Sequence, residues 1–280
     1  MEKSIHWYPG HMNKALNELK TRIKILDVIL ILVDARAPLS SLNKGLLELV
    51  EHKPHIFVLM KMDLADPTYE VKWLEHFRKE DVESIFVSID NKKTIDELKS
   101  LIYKMGEKKR EKEIRKGIKP QRIKTAIIGV PNVGKSSLIN KLAGKKIAVV
   151  ENKPGKTKNE AWIKVGDKFD LLDTPGILPP RYENKEISTK LALIGMIKES
   201  ILPIDYLVEQ ALIYLRNYKD LYFKKYDYEL VDDVQINLLN IAKRRMFMVG
   251  NNFDLDKASV ALLRDFKNGH IGRMTLEKPE

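Results

Sequence analysis

The stretch Gly129-Val130-Pro131-Asn132-Val133-Gly134-Lys135-Ser136 decides the fold, because it matches the pattern G-x-x-x-x-G-K-[ST] of a phosphate-binding loop. Residues 124–128 before it predict a short buried strand, and residues 136–142, ended by Gly144, predict a helix. Glycines let backbone N–H groups approach phosphate oxygens, and a helix N-terminus favours an anion. A glycine-rich turn without a ligand is the alternative, which the Lys-Ser pair between strand and helix disfavours.

The loop residues have separate expected roles. Lys135 is expected to contact the β- and γ-phosphates of a nucleotide and to assist catalysis, and the Ser136 hydroxyl is expected to hold Mg²⁺. The other phosphate contacts are expected from Asn132, Val133, Gly134 and Ser137.

A second phosphate-sensing element lies downstream. The largely apolar run 169–172 predicts a strand that ends at Asp173, within Asp173-Thr174-Pro175-Gly176. Asp173 is therefore an expected Mg²⁺ ligand and Gly176 an expected γ-phosphate contact. Thr157, in Pro154-Gly155-Lys156-Thr157, is expected to close over Mg²⁺ when the γ-phosphate is present. Ordinary turns are the alternative for both segments.

The best base-reading motif, Met60-Lys61-Met62-Asp63, lies upstream of both phosphate elements, which is a rotated order. Asp63 can accept hydrogen bonds from the N1–H and exocyclic amine of guanine, whereas adenine offers an acceptor at N1 and no 2-amino group. The stem of Lys61 can lie along the base. Ser88, after the apolar run 85–87, is the expected second base contact; plain strand ends of an α/β sheet are the alternative.

These motifs in this order resemble the circularly permuted GTPases of the YlqF type, also called ribosome biogenesis GTPase A. The resemblance extends over nearly the whole chain, and the further residues that support it are Trp7-Tyr8-Pro9-Gly10-His11-Met12, Asp34-Ala35-Arg36-Ala37-Pro38, residues 263–269 and Gly272-Arg273-Met274-Thr275-Leu276-Glu277. It implies GTP hydrolysis coupled to late assembly of the bacterial large ribosomal subunit, with the subunit and its rRNA as partners.

The chain departs from related GTPases at two positions. Met60 stands where Asn is usual, and because that Asn braces neighbouring loops the change is expected to affect nucleotide affinity; ATP binding is a minor alternative. Ile177 stands where many GTPases have the Gln that orients water. His11 is a candidate for that catalytic role, unless it packs on the first helix or contacts a partner. Asn132 is a candidate for binding K⁺ near the phosphates, with a solvent-facing Asn as the alternative.

Composition limits the other function classes. The 280 residues include no cysteine, which excludes disulfides and cysteine-based zinc sites, and carry a net charge of +11. No apolar run reaches the ~20 residues of a membrane span, and the N-terminus lacks a signal-peptide core. We therefore expect a cytoplasmic protein without a membrane partner. We also expect it to be a monomer. Residues 104–124 hold ten basic and three acidic side chains, expected either to contact RNA phosphates or to act as a solvated linker.

The pattern predicts a mostly parallel α/β sheet followed by a smaller helical domain. Residues 1–180 are expected to form the permuted GTPase domain, with a base-reading half (1–103), a basic connector (104–124) and a phosphate-binding half (125–180). Residues 181–280 are expected to form an all-helical, rRNA-binding domain, from the helical spacing near 204–215, 234–242 and 258–266. The cluster Lys243-Arg244-Arg245 would contact rRNA or only favour a helix end.

The rotated order of the motifs predicts how nucleotide binding is coupled to the helical part. The γ-phosphate sensor at 173–177 is followed almost at once by the helical part, so nucleotide binding is expected to move that part and to present a composite rRNA surface. Contact with the subunit would complete the hydrolytic site. The alternatives are a nucleotide-gated RNA-binding module with little hydrolysis and a GTPase of another RNA pathway.

Overall fold

The computed structural model describes residue 17 and residues 19–144, 162–173 and 184–279, with only the backbone of residue 173. Six strands form the main sheet in the order β3-β2-β1-β4-β6-β5. The strands are β1 (Val28–Asp34), β2 (His55–Met60), β3 (Glu83–Val87), β4 (Ile123–Gly129), β5 (Trp162–Val165) and β6 (Phe169–Asp173). All neighbouring strands pair in parallel except β5, which is antiparallel to β6. The predicted mostly parallel sheet is confirmed.

Helices cover both faces of the sheet. The helices of the sheet region are α1 (Lys44–Val50), α2 (Glu70–Lys79), α3 (Lys92–Arg115) and α4 (Lys135–Ala143). Side chains alternate along β1, so that Ile29 and Ile31 pack with residues of α1 and α2, whereas Leu30 and Leu32 pack with residues of α3 and α4. Because β1 is buried on both faces, its sequence is an unbroken apolar run before Asp34.

The remaining described residues are mainly helical. The helices here are α5 (Lys185–Leu193), α6 (Ile204–Leu215), α7 (Lys219–Tyr226), α8 (Val234–Arg245) and α9 (Leu255–Lys267). Side chains of Asn184, Asp233 and Asp254 accept hydrogen bonds from the first turns of α5, α8 and α9, which fixes where these helices begin. The three helices predicted from apolar spacing are present. The region is not entirely helical, because β7 (Met248–Val249) and β8 (Asn252–Phe253) form a short antiparallel ribbon.

Two observations concern the expected division of the chain. Residues 104–115 of the basic connector belong to α3, so most of that segment is helix and not a flexible linker. One apolar cluster contains side chains from β1, α3 and α4 together with side chains from α5 to α9. The helical part therefore shares its core with one face of the sheet, and the division at residue 180 stays a prediction. Within the described ranges, none of the helices combines the length and apolar character that a membrane span requires.

Candidate nucleotide site

The carboxyl ends of five neighbouring strands meet at one edge of the sheet. Asp34 pairs with Met60, and Met60 pairs with Val87 on the next strand. On the other side of β1, Leu32 pairs with Gly129. Ligands bind outside this edge in open α/β sheets, and the fold therefore brings the base-reading and phosphate-binding motifs together on either side of β1.

The phosphate-binding loop connects β4 to α4 as the sequence predicts. Gly129 and Gly134 have φ values of +156° and +111°, in the region that glycine favours. A Cβ atom on Gly129 would lie 2.7 Å from the carbonyl oxygen of Leu32, so a side chain would collide with backbone there. Gly134 precedes the first turn of α4, and without a side chain it leaves that turn open to a phosphate. This geometry fits a nucleotide phosphate.

The polar residues of this loop occupy distinct positions. Lys135 is buried, and its Nζ donates hydrogen bonds to the carbonyl oxygens of Gly129 (3.0 Å) and Val130 (2.8 Å). Ser136 and Ser137 are half-buried in the first turn of α4, where hydroxyl oxygens suit Mg²⁺ and phosphate. The side chain of Val133 is fully buried in the core, so only its backbone could contact a nucleotide.

Asn132, the candidate K⁺ ligand, contacts the helical part. It has a left-handed conformation, with φ at +60°, and its side chain is exposed. Its Nδ2 donates a hydrogen bond to the carbonyl oxygen of Gly195, just beyond α5, at 3.2 Å. The phosphate-binding loop thus touches the region after residue 180 directly.

The base-reading loop begins in a tight turn at the end of β2. Lys61 has a φ of +61°, which is uncommon for a residue with a side chain and directs the chain sharply away from the strand. Asp63 is exposed, so its carboxylate is accessible to a base. The N–H of Met62 donates to the carbonyl oxygen of Val87 at 3.3 Å, which places Ser88 beside this turn. The fold therefore brings Lys61, Asp63 and Ser88 close together, and their contact with a base stays a prediction.

Met60, which replaces the usual Asn, joins the two loops by apolar packing. Its side chain is fully buried, and a Cβ atom on Gly134 would lie 3.2 Å from its Cε. The thioether therefore packs beneath the phosphate-binding loop, where a longer side chain on Gly134 would be crowded. In this chain the base-reading strand supports the phosphate-binding loop through van der Waals contact.

A buried charge network, for which the sequence analysis predicted no role, lies between the two loops. Asp34 accepts hydrogen bonds from Arg36 Nε and Nη2, both at 2.9 Å, and pairs with Lys61 Nζ at 3.0 Å. Burial alone would raise the pKa of Asp34, but the neighbouring guanidinium and ammonium groups outweigh it and lower the pKa from 3.8 to about 2. The carboxylate is therefore ionised at neutral pH and holds the base-reading lysine.

Arg36 also binds the helical part. Its Nη1 donates to the carbonyl oxygen of Lys267 at 2.6 Å, and its Nη2 donates to that of Ile194 at 3.1 Å. These carbonyls lie at the ends of α9 and α5, where a cation is favoured. The signal in the sequence was a charged pair directly after a buried strand, but its partners lie far along the chain.

The segment 273–277 is the other feature whose role the sequence did not indicate. It returns to the sheet region, where the Arg273 side chain donates to the carbonyl oxygens of Ala65 and Met62. Glu277 accepts from the backbone N–H groups of Leu39 and Ser40 and from the Ser40 hydroxyl. The motif Gly-Arg-Met-Thr-Leu-Glu supported the resemblance, but nothing local in it indicates these contacts.

Several expected site residues lie outside the part of the chain that the structure describes. They are His11, Thr157 and Gly176, and with them the side chain of Asp173. The backbone of Asp173 ends β6 and pairs with Ile127, beside the strand that carries the phosphate-binding loop. This position is the one expected for an Mg²⁺ carboxylate near Ser136.

Comparisons with known proteins agree with this arrangement. Residues 124–252 match the family model described as "50S ribosome-binding GTPase", a segment that starts at the phosphate-binding strand and leaves the base-reading motif outside. The chain is 39% identical over 279 residues to ribosome biogenesis GTPase A of Bacillus cereus, covering 99% of this chain and 94% of that protein. It is 37% identical to the Bacillus pumilus protein of that name, covering 99% of each chain.

A solved structure shows the same fold. The crystal structure of GNP-bound YlqF from T. maritima aligns with a TM-score of 0.65 and 23% identity, covering 95% of this chain and 99% of that one. The rotated order of motifs therefore belongs to a known architecture.

Proposed function

This chain belongs to the ribosome biogenesis GTPase A family, and on that premise we propose that it hydrolyses GTP at the sheet edge to drive or check a late step of large-subunit assembly. It is a GTPase involved in biogenesis of the large ribosomal subunit. The observation on which the proposal mainly depends is the meeting of the phosphate-binding loop and the base-reading loop on either side of β1.

The phosphates would bind at the start of α4. Lys135 would exchange its bonds to the carbonyls of Gly129 and Val130 for bonds to the β- and γ-phosphates. Ser136 would hold Mg²⁺ together with Asp173 and Thr157, since Mg²⁺ usually combines a few protein oxygens with substrate phosphates. Gly176 would sense the γ-phosphate. This supports a nucleoside triphosphate as the substrate.

The base would bind beside the turn after β2. Asp63 would accept hydrogen bonds from N1–H and the 2-amino group of guanine, and Lys61, held by Asp34, would lie along the base. Ser88 would complete the base pocket from the end of β3. The exposed carboxylate of Asp63 supports guanine over adenine, because adenine lacks both donors.

Hydrolysis requires groups that position water and stabilise charge. We assign the water-positioning role to His11, because Ile177 has no polar group where many GTPases have Gln. Asn132 would hold K⁺ near the phosphates, through the exposed side chain that already contacts Gly195. Contact with the large subunit would bring these groups together and stimulate turnover.

The rRNA surface would include the basic end of α3. Lys108, Lys112 and Lys116 are exposed and follow one another at intervals of four residues, which places them on one face. Several other cations of this region are paired within the protein, as Lys109 is with Asp27 and Arg122 is with Asp170. Such a row would contribute salt-dependent attraction to RNA phosphates.

The basic cluster Lys243-Arg244-Arg245, at the end of α8, would contribute less to this rRNA surface. Arg244 pairs with Asp227 at 2.7 Å, and Arg245 pairs with the buried carboxylate of Asp265. These pairs support a role within the helical part for the two arginines, and leave Lys243, which is exposed, as the candidate contact to rRNA. A monomeric state and a cytoplasmic location remain predictions.

Phosphate release from GTP in potassium buffer, with and without purified large subunits, tests the proposal. We expect strong stimulation by subunits, weaker stimulation in sodium buffer, and loss of stimulation in His11→Ala. Replacing Lys108, Lys112 and Lys116 together by Gln should make subunit binding weaker and less sensitive to salt, because fewer counterions are released. Equal subunit binding by the GTP and GDP forms would contradict a GTP-driven cycle.

A nucleotide-gated binding module is the second candidate, and Ile177 favours it. Such a module would bind subunits in a GTP-dependent way but would release no phosphate in multiple turnovers. The same assay therefore separates the two candidates.

A further inference from the structure

The segment 273–277 binds backbone carbonyl groups of the loop that follows Lys61. Arg273 Nε donates to the carbonyl oxygen of Ala65 at 2.7 Å, and its Nη2 donates to that of Met62 at 2.8 Å. The N–H of Met274 donates to the carbonyl oxygen of Leu64 at 2.9 Å. Three carbonyls of the loop that contains Asp63 are thus fixed by two consecutive residues from the far end of the chain.

Thr275 and Tyr218 extend the same contact. The Thr275 hydroxyl accepts from the N–H of Asp66 at 3.1 Å, and the Tyr218 hydroxyl lies 3.2 Å from an Asp66 carboxylate oxygen. The N–H of Thr275 donates to that same hydroxyl at 3.0 Å. Gly269 also approaches the loop closely, because a Cβ atom there would lie 2.7 Å from Leu64 Cδ2.

We infer that Arg273 and Thr275 are positioning residues for guanine recognition, which hold the 62–66 loop so that Asp63 meets the base. The inference deepens the proposed function and rests on it, because it requires Asp63 to read guanine. Neither residue needs to contact the nucleotide. Each acts through loop backbone atoms one to three positions from Asp63.

A second connection leads from the helical part to the same site. Arg36 binds the carbonyl oxygens of Ile194 and Lys267 and also holds Asp34, which pairs with Lys61. Both base-reading residues are therefore fixed from the helical part, Lys61 through Asp34 and Arg36 and Asp63 through segment 273–277. A partner that shifts the helical part would change affinity for the base, and by linkage guanine binding would strengthen docking of that part.

The test compares GDP with inosine diphosphate, which lacks only the 2-amino group. Because a hydrogen bond to a charged group changes affinity by roughly 10-fold to 100-fold, wild type should favour GDP by about that ratio. Arg273→Ala should bind GDP more weakly and bring the ratio close to one, whereas Arg273→Lys, which keeps a single charged donor nitrogen in place of two, should restore part of it. Thr275→Val, of nearly equal shape, should lower the ratio less than Arg273→Ala. Equilibrium titration of each diphosphate gives these ratios.

The matched control is Arg216→Ala, which removes an arginine of the helical part whose guanidinium pairs with Asp232 at 3.0 Å. It should leave the ratio at the wild-type value. Circular dichroism and thermal unfolding establish that each variant is folded. If Arg273→Ala does not fold, Thr275→Val decides the question.

The outcomes separate this inference from the proposed function. A wild-type ratio in folded Arg273→Ala and Thr275→Val would overturn the inference while leaving guanine recognition by Asp63 intact. Equal affinity of wild type for the two diphosphates would contradict recognition of the 2-amino group by Asp63, and the inference with it. A ratio that falls in both variants, but not in Arg216→Ala, would support it.

Discussion

The phosphate-binding loop and the base-reading loop lie at the same sheet edge but are held in place differently. The phosphate-binding loop is held mainly by local contacts. Its glycines allow the positive φ angles of its backbone, and Lys135 donates hydrogen bonds to carbonyl oxygens five and six positions before it. The second is held by residues about 200 positions away, with Arg273 bonded to Ala65 across 208 positions. A local loop can be recognised from its sequence, whereas a loop fixed by distant contacts cannot.

The largest effect should come from Lys135→Ala. Loss of the charge-assisted contact to the β-phosphate should weaken binding of either diphosphate by roughly 10-fold to 100-fold, whatever the base, and the loss for GTP should be larger because its γ-phosphate contact disappears too. Fluorescence titration with GDP and inosine diphosphate measures the loss. Lys141→Ala, which removes an exposed lysine of the same helix, is the control and should bind as wild type does. A loss confined to GDP would show that the two loops do not divide phosphate and base recognition.

Met60→Ala tests the contact between the two loops. Truncating this buried side chain beneath Gly134 should lower the free energy of unfolding by about 2–5 kcal/mol, because a cavity replaces packed atoms. Affinity for both diphosphates should fall in equal proportion. Urea unfolding and the same titrations check both effects. Met105→Ala, at a half-buried position of α3, is the control and should cost less stability and leave affinity unchanged. If Met60→Ala also left affinity unchanged, the Met60 side chain would not be needed to support the phosphate-binding loop at Gly134.

Asp34→Asn should change how the free energy of unfolding depends on pH, because it removes the carboxylate of the buried charge network. Since the folded protein lowers the pKa of Asp34 from 3.8 to about 2, the unfolded chain binds its proton more readily and stability rises with pH through this range. The shift corresponds to about 2 kcal/mol, present above pH ~4 and lost as the pH falls toward ~2. The stability difference between wild type and variant, from urea unfolding, should therefore shrink from pH 7 to pH 3.

The control for this pH dependence is Asp96→Asn, an exposed carboxylate of α3 that lies 3.7 Å from Lys99. Its difference from wild type should stay small at both pH values, because exposed pairs contribute little. A difference for Asp34→Asn that is the same at pH 7 and pH 3 would show that the carboxylate is not held in its ionised form by Arg36 and Lys61.

The smallest effect is expected from Tyr218→Phe. Its hydroxyl bridges Asp66 and Thr275, so its removal should lower the free energy of unfolding by about 1 kcal/mol. The GDP preference should fall slightly, by less than in Arg273→Ala. Tyr228→Phe is a control in the same part of the chain. Lost stability with an unchanged GDP preference would limit the base-positioning role to Arg273 and Thr275.

Much of this architecture was predictable because the signals are local. Apolar runs at residues 28–33, 56–60 and 85–87 became β1, β2 and β3, and the pattern around Lys135 became a strand, loop and helix as expected. The predicted helical region proved helical except for the ribbon at Met248–Val249 and Asn252–Phe253, whose two-residue strands are too short to give a periodic signal. The basic segment at 104–115 proved to be helix because buried apolar residues of α3 just before it, such as Leu98 and Ile102, anchor that helix to the sheet.

The sequence by itself determined the fold class, the position of both loops and their rotated order, because each depends on the chemistry of consecutive residues. Only the tertiary structure decided what holds Lys61 and Asp63, since the carbonyl groups that bind Arg36 and Arg273 are brought by folding from distant positions. Carbonyl oxygens at helix ends and in turns are present at every residue, so no residue type marks which of them an arginine will bind. The chain thus specifies its phosphate site locally and its base site through the packed whole.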